Sequence, residues 1–182
     1  MDRLFIFNFA IMSSSIINKV AESGIISIDL EKYYPSEEIV SFDLKDYLFM
    51  GLILKEKEFR QALKEIDLEQ YRGRIGAITC SADAIIPMWA YMLATATLQQ
   101  VCDTVIMGDR SFAEQQILLE NIRQINANDY LDKRVVIKGC GEKPVPAEAY
   151  MEITKKLQPV AQSIMYGEPC STVPVYKRKA TS

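Results

Sequence analysis

The chain has 182 residues, of which 49% are apolar and 25% are charged, and these values are typical of one globular domain. Its net charge of −3 argues against a nucleic-acid-binding protein, because phosphate binding requires clustered lysines and arginines. The sequence contains no histidine, which excludes Ser-His-Asp and Cys-His catalysis and any metal site built on histidine.

The start of the chain is not expected to belong to the folded domain. Residues 1–12 are apolar, but they lack a small-residue cleavage site and are shorter than the ~20 residues that span a bilayer. Met12 is followed by three serines, which are typical of a helix start. We therefore assign 1–12 to a non-structural or mis-assigned start, 13–176 to a single α/β domain and 177–182 to a basic tail. We expect a cytoplasmic protein without a membrane segment.

The N-terminal third predicts a mixed extension. A short helix is expected over 15–22, followed by strands at Ile25–Leu30 and Ile39–Phe42 that form an antiparallel pair or an edge of the main sheet. A helix is expected over 51–66, because its apolar residues repeat at helical spacing against a charged face.

From Arg74 onward, apolar strands alternate with helices. Strands are predicted at 74–79, 104–107, 134–138 and 163–166, with helices at 86–98, 111–125 and 146–157. A Ser111-x-x-Glu114 capping box opens the second of these helices. We find no internal repeat, and the alternation predicts a single domain with a mainly parallel sheet of βαβ units plus the N-terminal extension.

The helix around Trp89 is apolar almost all round. It is expected either to be sandwiched in the core or to form the interface of a homodimer.

Three of the four cysteines follow predicted strands. Cys80 comes after the first strand of the alternating region, Cys140 after the third and Cys170 after the fourth. Ligands bind beyond the carboxyl ends of the strands in open parallel sheets, so we expect these thiols to meet at one sheet edge. Cys102 ends a helix and precedes a strand, which places it at the opposite edge as a structural thiol.

The residues around these cysteines suit a binding site. The expected set beside the metal ligands Cys80, Cys140 and Cys170 consists of Ser81, Asp83, Gly139, Gly141, Glu168 and Ser171. Three thiolates from separate loops suit zinc or an iron–sulfur cluster, with Asp83 or Glu168 as a further ligand or an acid/base.

Two other functions stay open at this point. One is a thiol-dependent enzyme or sulfur carrier, in which one cysteine of low pKa attacks or carries sulfur and a carboxylate or lysine moves protons. The other is a non-catalytic homodimeric interaction module. Free cysteines also commonly serve as small buried apolar residues, which would leave the three thiols without a chemical role.

Three segments carry a resemblance. Ile78-Thr-Cys-Ser-Ala-Asp-Ala-Ile-Ile-Pro, Val136-Ile-Lys-Gly-Cys with Lys143-Pro-Val-Pro, and Met165-Tyr-Gly-Glu-Pro-Cys-Ser-Thr-Val-Pro resemble an uncharacterised domain-of-unknown-function family of Bacteroidetes. The resemblance runs over residues 16–178 and implies no specific activity. It does imply an association with iron–sulfur cluster assembly, and hence iron–sulfur assembly proteins as partners.

Overall fold

The structure, a computed structural model, describes residues 24–139 and 141–179. Its elements in chain order are β1 (Ile25–Asp29), β2 (Ile39–Asp43), α1 (Glu56–Glu65), β3 (Ile75–Thr79), α2 (Met88–Leu98), β4 (Thr104–Met107), α3 (Arg110–Gln124), β5 (Arg134–Lys138), α4 (Ala147–Leu157), β6 (Ser163–Glu168) and β7 (Ser171–Lys177). Short 3₁₀ helices lie at Leu30–Tyr33, Leu44–Tyr47, Leu68–Tyr71 and Ala127–Tyr130. The predicted start over 1–12 and the predicted helix over 15–22 lie outside the described residues.

The strands form two sheets. The first sheet has the order β2-β3-β4 and is wholly parallel, and the second has the order β1-β5-β6-β7, in which only β7 is antiparallel. The predicted α/β class with mainly parallel pairing is therefore confirmed. The expectation of one main sheet is wrong.

The N-terminal strands do not pair with each other. β1 lies parallel to β5, and β2 lies parallel to β3, so the antiparallel alternative is wrong. The edge alternative is confirmed, because each strand forms the edge of its sheet. β1 is followed by a 3₁₀ helix capped by Asp29, and not by the tight turn that normally joins two neighbouring antiparallel strands. β1 therefore belongs to the second sheet and β2 to the first.

The chain contains an internal repeat, contrary to the expectation from the sequence. Residues 55–108 and 114–167 correspond without a gap at a spacing of 59 residues, as Tyr71 and Tyr130 do. α1, β3, α2 and β4 of the first copy correspond to α3, β5, α4 and β6 of the second. The identical pairs after Tyr71 and Tyr130 are Ile78/Ile137, Pro87/Pro146, Ala90/Ala149, Tyr91/Tyr150, Met92/Met151, Thr95/Thr154, Leu98/Leu157, Gln99/Gln158, Val101/Val160 and Gly108/Gly167.

The sheet registers follow the same repeat. β1 and β2 are related by a spacing of 14 residues, and each ends in an aspartate that caps a 3₁₀ helix, Asp29 and Asp43. Asp29 is the register partner of Lys138, and Asp43 is the partner of Thr79, which is the residue equivalent to Lys138. The molecule thus consists of a first unit (β2, α1, β3, α2, β4) and a second unit (β1, α3, β5, α4, β6) extended by β7.

One helix joins the cores of the two units. α1 and α2 cover one face of the first sheet, and α3 covers the other face through Ala113 and Ile117. Leu118 and Ile122 of the same helix pack into the core that α4 forms with the second sheet. Because both faces of the first sheet are covered, β3 is buried over Ile75–Ile78.

Two local expectations differ from the structure. Asp109, not Ser111, caps α3, and its carboxylate accepts a hydrogen bond from the Phe112 amide at 2.8 Å. The predicted basic tail is in part ordered, because Lys177 ends β7 and the amide of Arg178 donates to the carbonyl of Gln162 at 2.9 Å. Arg178 also forms an ion pair with Asp132.

The helix around Trp89, α2, is neither fully sandwiched nor free. Ala90, Ala94 and Leu98 are buried in the core of the first unit, whereas Met88 and Met92 are exposed. None of the helices within the described residues is long and apolar enough to cross a membrane.

Candidate functional site at the carboxyl end of the second sheet

Three charged side chains meet where the strands of the second sheet end. The Lys138 Nζ atom lies 3.7 Å from Asp29 Oδ2 and 3.5 Å from Glu168 Oε1, and these residues end β5, β1 and β6. The central strand thus presents a cation between two carboxylates on the flanking strands. All three side chains are partly exposed, so the group is accessible to a ligand from solvent.

A fourth charged residue, Glu31, holds the loop that follows β5. Its carboxylate accepts hydrogen bonds from the amides of Gly141, Glu142 at 3.0 Å and Lys143 at 3.3 Å. The bond from Gly141, followed by those from Lys143 and Glu142 and by the charge of Lys138, lowers the pKa of Glu31 below its ordinary value.

Both glycines of this loop are explained by contacts within the chain. A Cβ atom at Gly141 would lie 2.6 Å from both carboxylate oxygens of Glu31, and one at Gly139 would lie 2.7 Å from the Tyr150 hydroxyl. That hydroxyl donates to the carbonyl of Gly139 at 3.1 Å. Tyr150 and Glu31 therefore account for the lack of a side chain at Gly139 and Gly141.

We expect acid to release this loop. Because the pKa of Glu31 is lowered in the folded protein, its contribution is fully present above the unfolded value of about 4.5 and is lost as the pH falls through the folded value. Amide hydrogen exchange at Gly141 and Glu142 should therefore accelerate on acidification before the protein unfolds globally.

The Glu31→Gln variant should show fast exchange at these amides at neutral pH as well. Glu65→Gln, on the exposed face of α1, is the control and should behave as the wild type does. Unchanged exchange in Glu31→Gln would show that the carboxylate does not hold the loop.

The predicted ligand Cys170 lies in the tight turn that joins β6 to β7. Its thiol is free and exposed, and it is flanked by Ser171, the first residue of β7. Cys140 is outside the described residues, although Gly139 and Gly141 on either side of it are described. The contact between Lys138 and Glu168 joins the two segments, because each of these residues precedes one of the cysteines by two positions.

Cys80 belongs to a different part of the molecule. It follows β3 of the first sheet, is half-buried against the core formed with α1 and α2, and its thiol donates to the carbonyl of Ala82 at 3.6 Å. Ser81 and Asp83 are exposed, and the amide of Ser81 donates to Asp43 at 3.0 Å. This loop is the equivalent in the first unit of the loop that contains Cys140.

The carboxyl ends of the two sheets nevertheless lie on one side of the molecule. α3 starts just after β4, and its Glu114 lies 3.5 Å from Lys143, which follows β5. Cys80, however, packs on the face of the first sheet that is opposite α3, so the sheet separates it from the second unit. No group of three cysteine, aspartate or glutamate side chains able to hold a metal ion is present within residues 24–139 and 141–179. The three-cysteine centre stays a prediction.

The fourth cysteine behaves as expected from the sequence. Cys102 is buried, its thiol donates to the carbonyl of Tyr71 at 3.6 Å, and burial raises its pKa. These are properties of a structural thiol.

The sequence interpretation missed Asp29 and Glu31. A comparison of the two repeats would have drawn attention to Glu31, because Ile28-Asp-Leu-Glu corresponds to Phe42-Asp-Leu-Lys. The equivalent positions thus carry a carboxylate in one copy and an ammonium group in the other. This difference indicates that the charge beside the two equivalent loops is opposite in sign.

The chain was compared with known proteins. No similarity to a curated protein or to a solved structure is detected. A family model described as a protein of unknown function, DUF2480, matches residues 14–178. The Bacteroidetes origin expected from the resemblance stays a prediction. The match covers nearly the whole sequence, and the chain therefore belongs to the DUF2480 family.

Proposed function

We propose that the protein binds zinc or an iron–sulfur cluster through thiolates at the carboxyl end of the second sheet. The observation that carries the proposal is the 3.5 Å contact between Lys138 and Glu168. It joins the two segments in which Cys140 and Cys170 follow two residues later. The carboxylates of Glu168 and Asp29, which both contact Lys138, would be further oxygen ligands.

The chemistry of the surrounding groups supports this assignment. Zinc and iron–sulfur clusters are held by deprotonated thiols from separate loops. Lys138 links the ends of β1, β5 and β6 through Asp29 and Glu168, and Glu31 fixes the loop that follows β5. Because thiolate ligands require a reducing compartment, the proposal includes a cytoplasmic location.

The position of Cys80 favours a site without this residue. It lies on the other sheet and on the face that points away from the second unit. An accessory role beside iron–sulfur assembly proteins remains part of the proposal and is supported only by the thiolate chemistry.

Metal analysis of the full chain, purified without oxygen and incubated with zinc or with iron and sulfide, tests the proposal. Wild-type protein should retain metal after desalting, whereas Cys140→Ser and Cys170→Ser should each lose it. Cys80→Ser is the matched control, since it removes a thiol from the equivalent loop of the first unit. This variant should retain metal.

Circular dichroism would show that each variant is folded. A wild-type protein that retains no metal under any of these conditions would overturn the proposal. Loss of metal in Cys80→Ser as well as in the other two variants would instead establish the three-cysteine centre and overturn its restriction to the second sheet.

A further inference from the structure

We propose that the free edge of β4 pairs with β4 of a second copy of this chain, antiparallel, and joins the two first sheets into one continuous sheet. The proposal is independent of the metal site, because it concerns the first sheet and includes none of the residues proposed as ligands.

The internal repeat shows what this edge lacks. β6, the equivalent of β4, pairs with β5 on one side and with the antiparallel strand β7 on the other. β4 pairs with β3 on one side, and within the described residues no strand pairs with its other side. The two equivalent strands therefore differ at their outer edge. β7 covers the edge of β6, and no strand within the described residues covers that of β4.

The backbone of β4 is oriented for such pairing. The amide of Gly108 donates to the carbonyl of Ile78 at 2.8 Å, so Gly108 and, by alternation, Ile106 direct their polar groups toward β3. The N–H and C=O groups of Val105 and Met107 consequently point to the free edge. An antiparallel pair centred on Ile106 would place Val105 of each copy opposite Met107 of the other.

The side chains of this edge do not prevent association. The other edge strands of the two sheets are protected in the usual way: β1 and β2 end in aspartates, and β7 contains Pro174 and Lys177. β4 alone among these four strands has neither a charged residue nor a proline. Its sequence Thr-Val-Ile-Met is uncharged, so the strand itself presents no like charges to a second copy.

Exposed methionines occur both on β4 and on α2, the helix that precedes it. Met107 is 67% exposed, and Met88 and Met92 on α2 are 70% and 71% exposed. In the second unit the equivalents of Met92 and Met107, which are Met151 and Tyr166, line an apolar cavity of about 450 Å³ that Val175 of β7 helps to form. A strand added to β4 would place its side chains beside Met92 and Met107 in the same way.

A second copy is the occupant that these observations favour. A twofold axis perpendicular to a sheet makes paired edge strands antiparallel, which is the direction in which β7 covers β6. The interface is then self-complementary, and the methionines of both copies enlarge it beyond the short backbone ladder.

The oligomeric state of the full chain tests the proposal. Analytical ultracentrifugation of the wild type should show a dimer, and the amides of Val105 and Met107 should be protected from hydrogen exchange. Met107→Lys and Met92→Lys should each weaken the dimer by about tenfold or more, because each places two charges in the apolar interface.

Met151→Lys is the matched control, since Met151 is the equivalent of Met92 and is also exposed, and it should leave the dimer intact. A monomeric wild type at all concentrations would overturn the proposal, whether or not an extended peptide of another protein binds the edge. A dimer that resists Met107→Lys but dissociates with Met151→Lys would also overturn it.

Discussion

Replacing Phe59 with alanine is expected to lower the free energy of unfolding by about 3–5 kcal/mol, the usual cost of removing a buried phenylalanine ring. Phe59 is 1% exposed in the core of the first unit. Its ring meets Tyr47 edge-on at 5.2 Å and Trp89 at 6.2 Å between ring centres, so alanine would leave a cavity lined by aromatic rings. Chemical denaturation of the variant and the wild type measures the difference.

The same experiment shows whether the two units unfold together. α3 packs on the first sheet through Ala113 and Ile117 and into the core of the second unit through Leu118 and Ile122. We therefore expect one cooperative transition, although Phe59 belongs to the first unit alone. Trp89, the one tryptophan of the chain, reports on the first unit, whereas far-ultraviolet circular dichroism reports on both.

Coincident transitions by these two probes are the expected result for both proteins. Phe49→Ala is the control, because Phe49 is 44% exposed and its removal should change the stability by less than about 1 kcal/mol. A fluorescence transition that separates from the circular dichroism transition in Phe59→Ala would show that α3 does not couple the units.

The local elements could be predicted because their signals are local. β4 and β5 have the bounds expected from their apolar runs. Such a run is typical of a buried parallel strand, as β5 is. The helices agree to within a few residues, except that α1 begins at Glu56, five residues after the expected start. The preceding segment contains Met50 and Gly51 with positive φ, which interrupts a helix.

Strand pairing could not be predicted in the same way. Alternating strands and helices indicate parallel pairing, but they do not indicate which strands are neighbours when the chain contains two sheets. The repeat resolves this, because equivalent strands β3 and β5 each form the centre of a sheet and each accept one N-terminal strand.

The candidate site was only partly predictable for a related reason. The loop that contains Cys140 and the turn that contains Cys170 could be recognised from glycines and thiols close together in sequence. Glu31 reaches Gly141 across 110 residues, and no local pattern carries a contact of that separation. Cys80 follows a strand of the first sheet and Cys170 a strand of the second, and the meeting of the three thiols stays a prediction.

The repeat itself makes a prediction about the two cores. Gly76 of β3 is equivalent to Val135 of β5, and Cys102 is equivalent to Ala161. All four residues are buried. The first unit combines a small strand residue, Gly76, with the larger Cys102, whereas the second unit combines a larger strand residue, Val135, with the small Ala161. A Cβ atom at Gly76 would lie 3.1 Å from Cys102 Sγ.

Gly76→Val should therefore destabilise the protein by about 1–3 kcal/mol through overpacking. Cys102→Ala alone should also destabilise it, because it removes a buried Sγ atom that donates to the carbonyl of Tyr71. The double variant reproduces the valine and alanine pair of the second unit. Its loss of stability should be smaller than the sum of the losses in the two single variants. Chemical denaturation of all four proteins gives the coupling energy, which for contacting residues reaches about 0.5–3 kcal/mol.

Cys102→Ser is a useful comparison, because serine keeps a donor at this position but occupies less space than cysteine. If relief of the steric conflict is what matters, Cys102→Ser should rescue Gly76→Val in part and Cys102→Ala more fully. Additive effects in the double variant would show that the two units pack differently despite their shared register. A favourable coupling would instead mean that the residue pairs are interchangeable between the units, as expected when both cores share one packing arrangement.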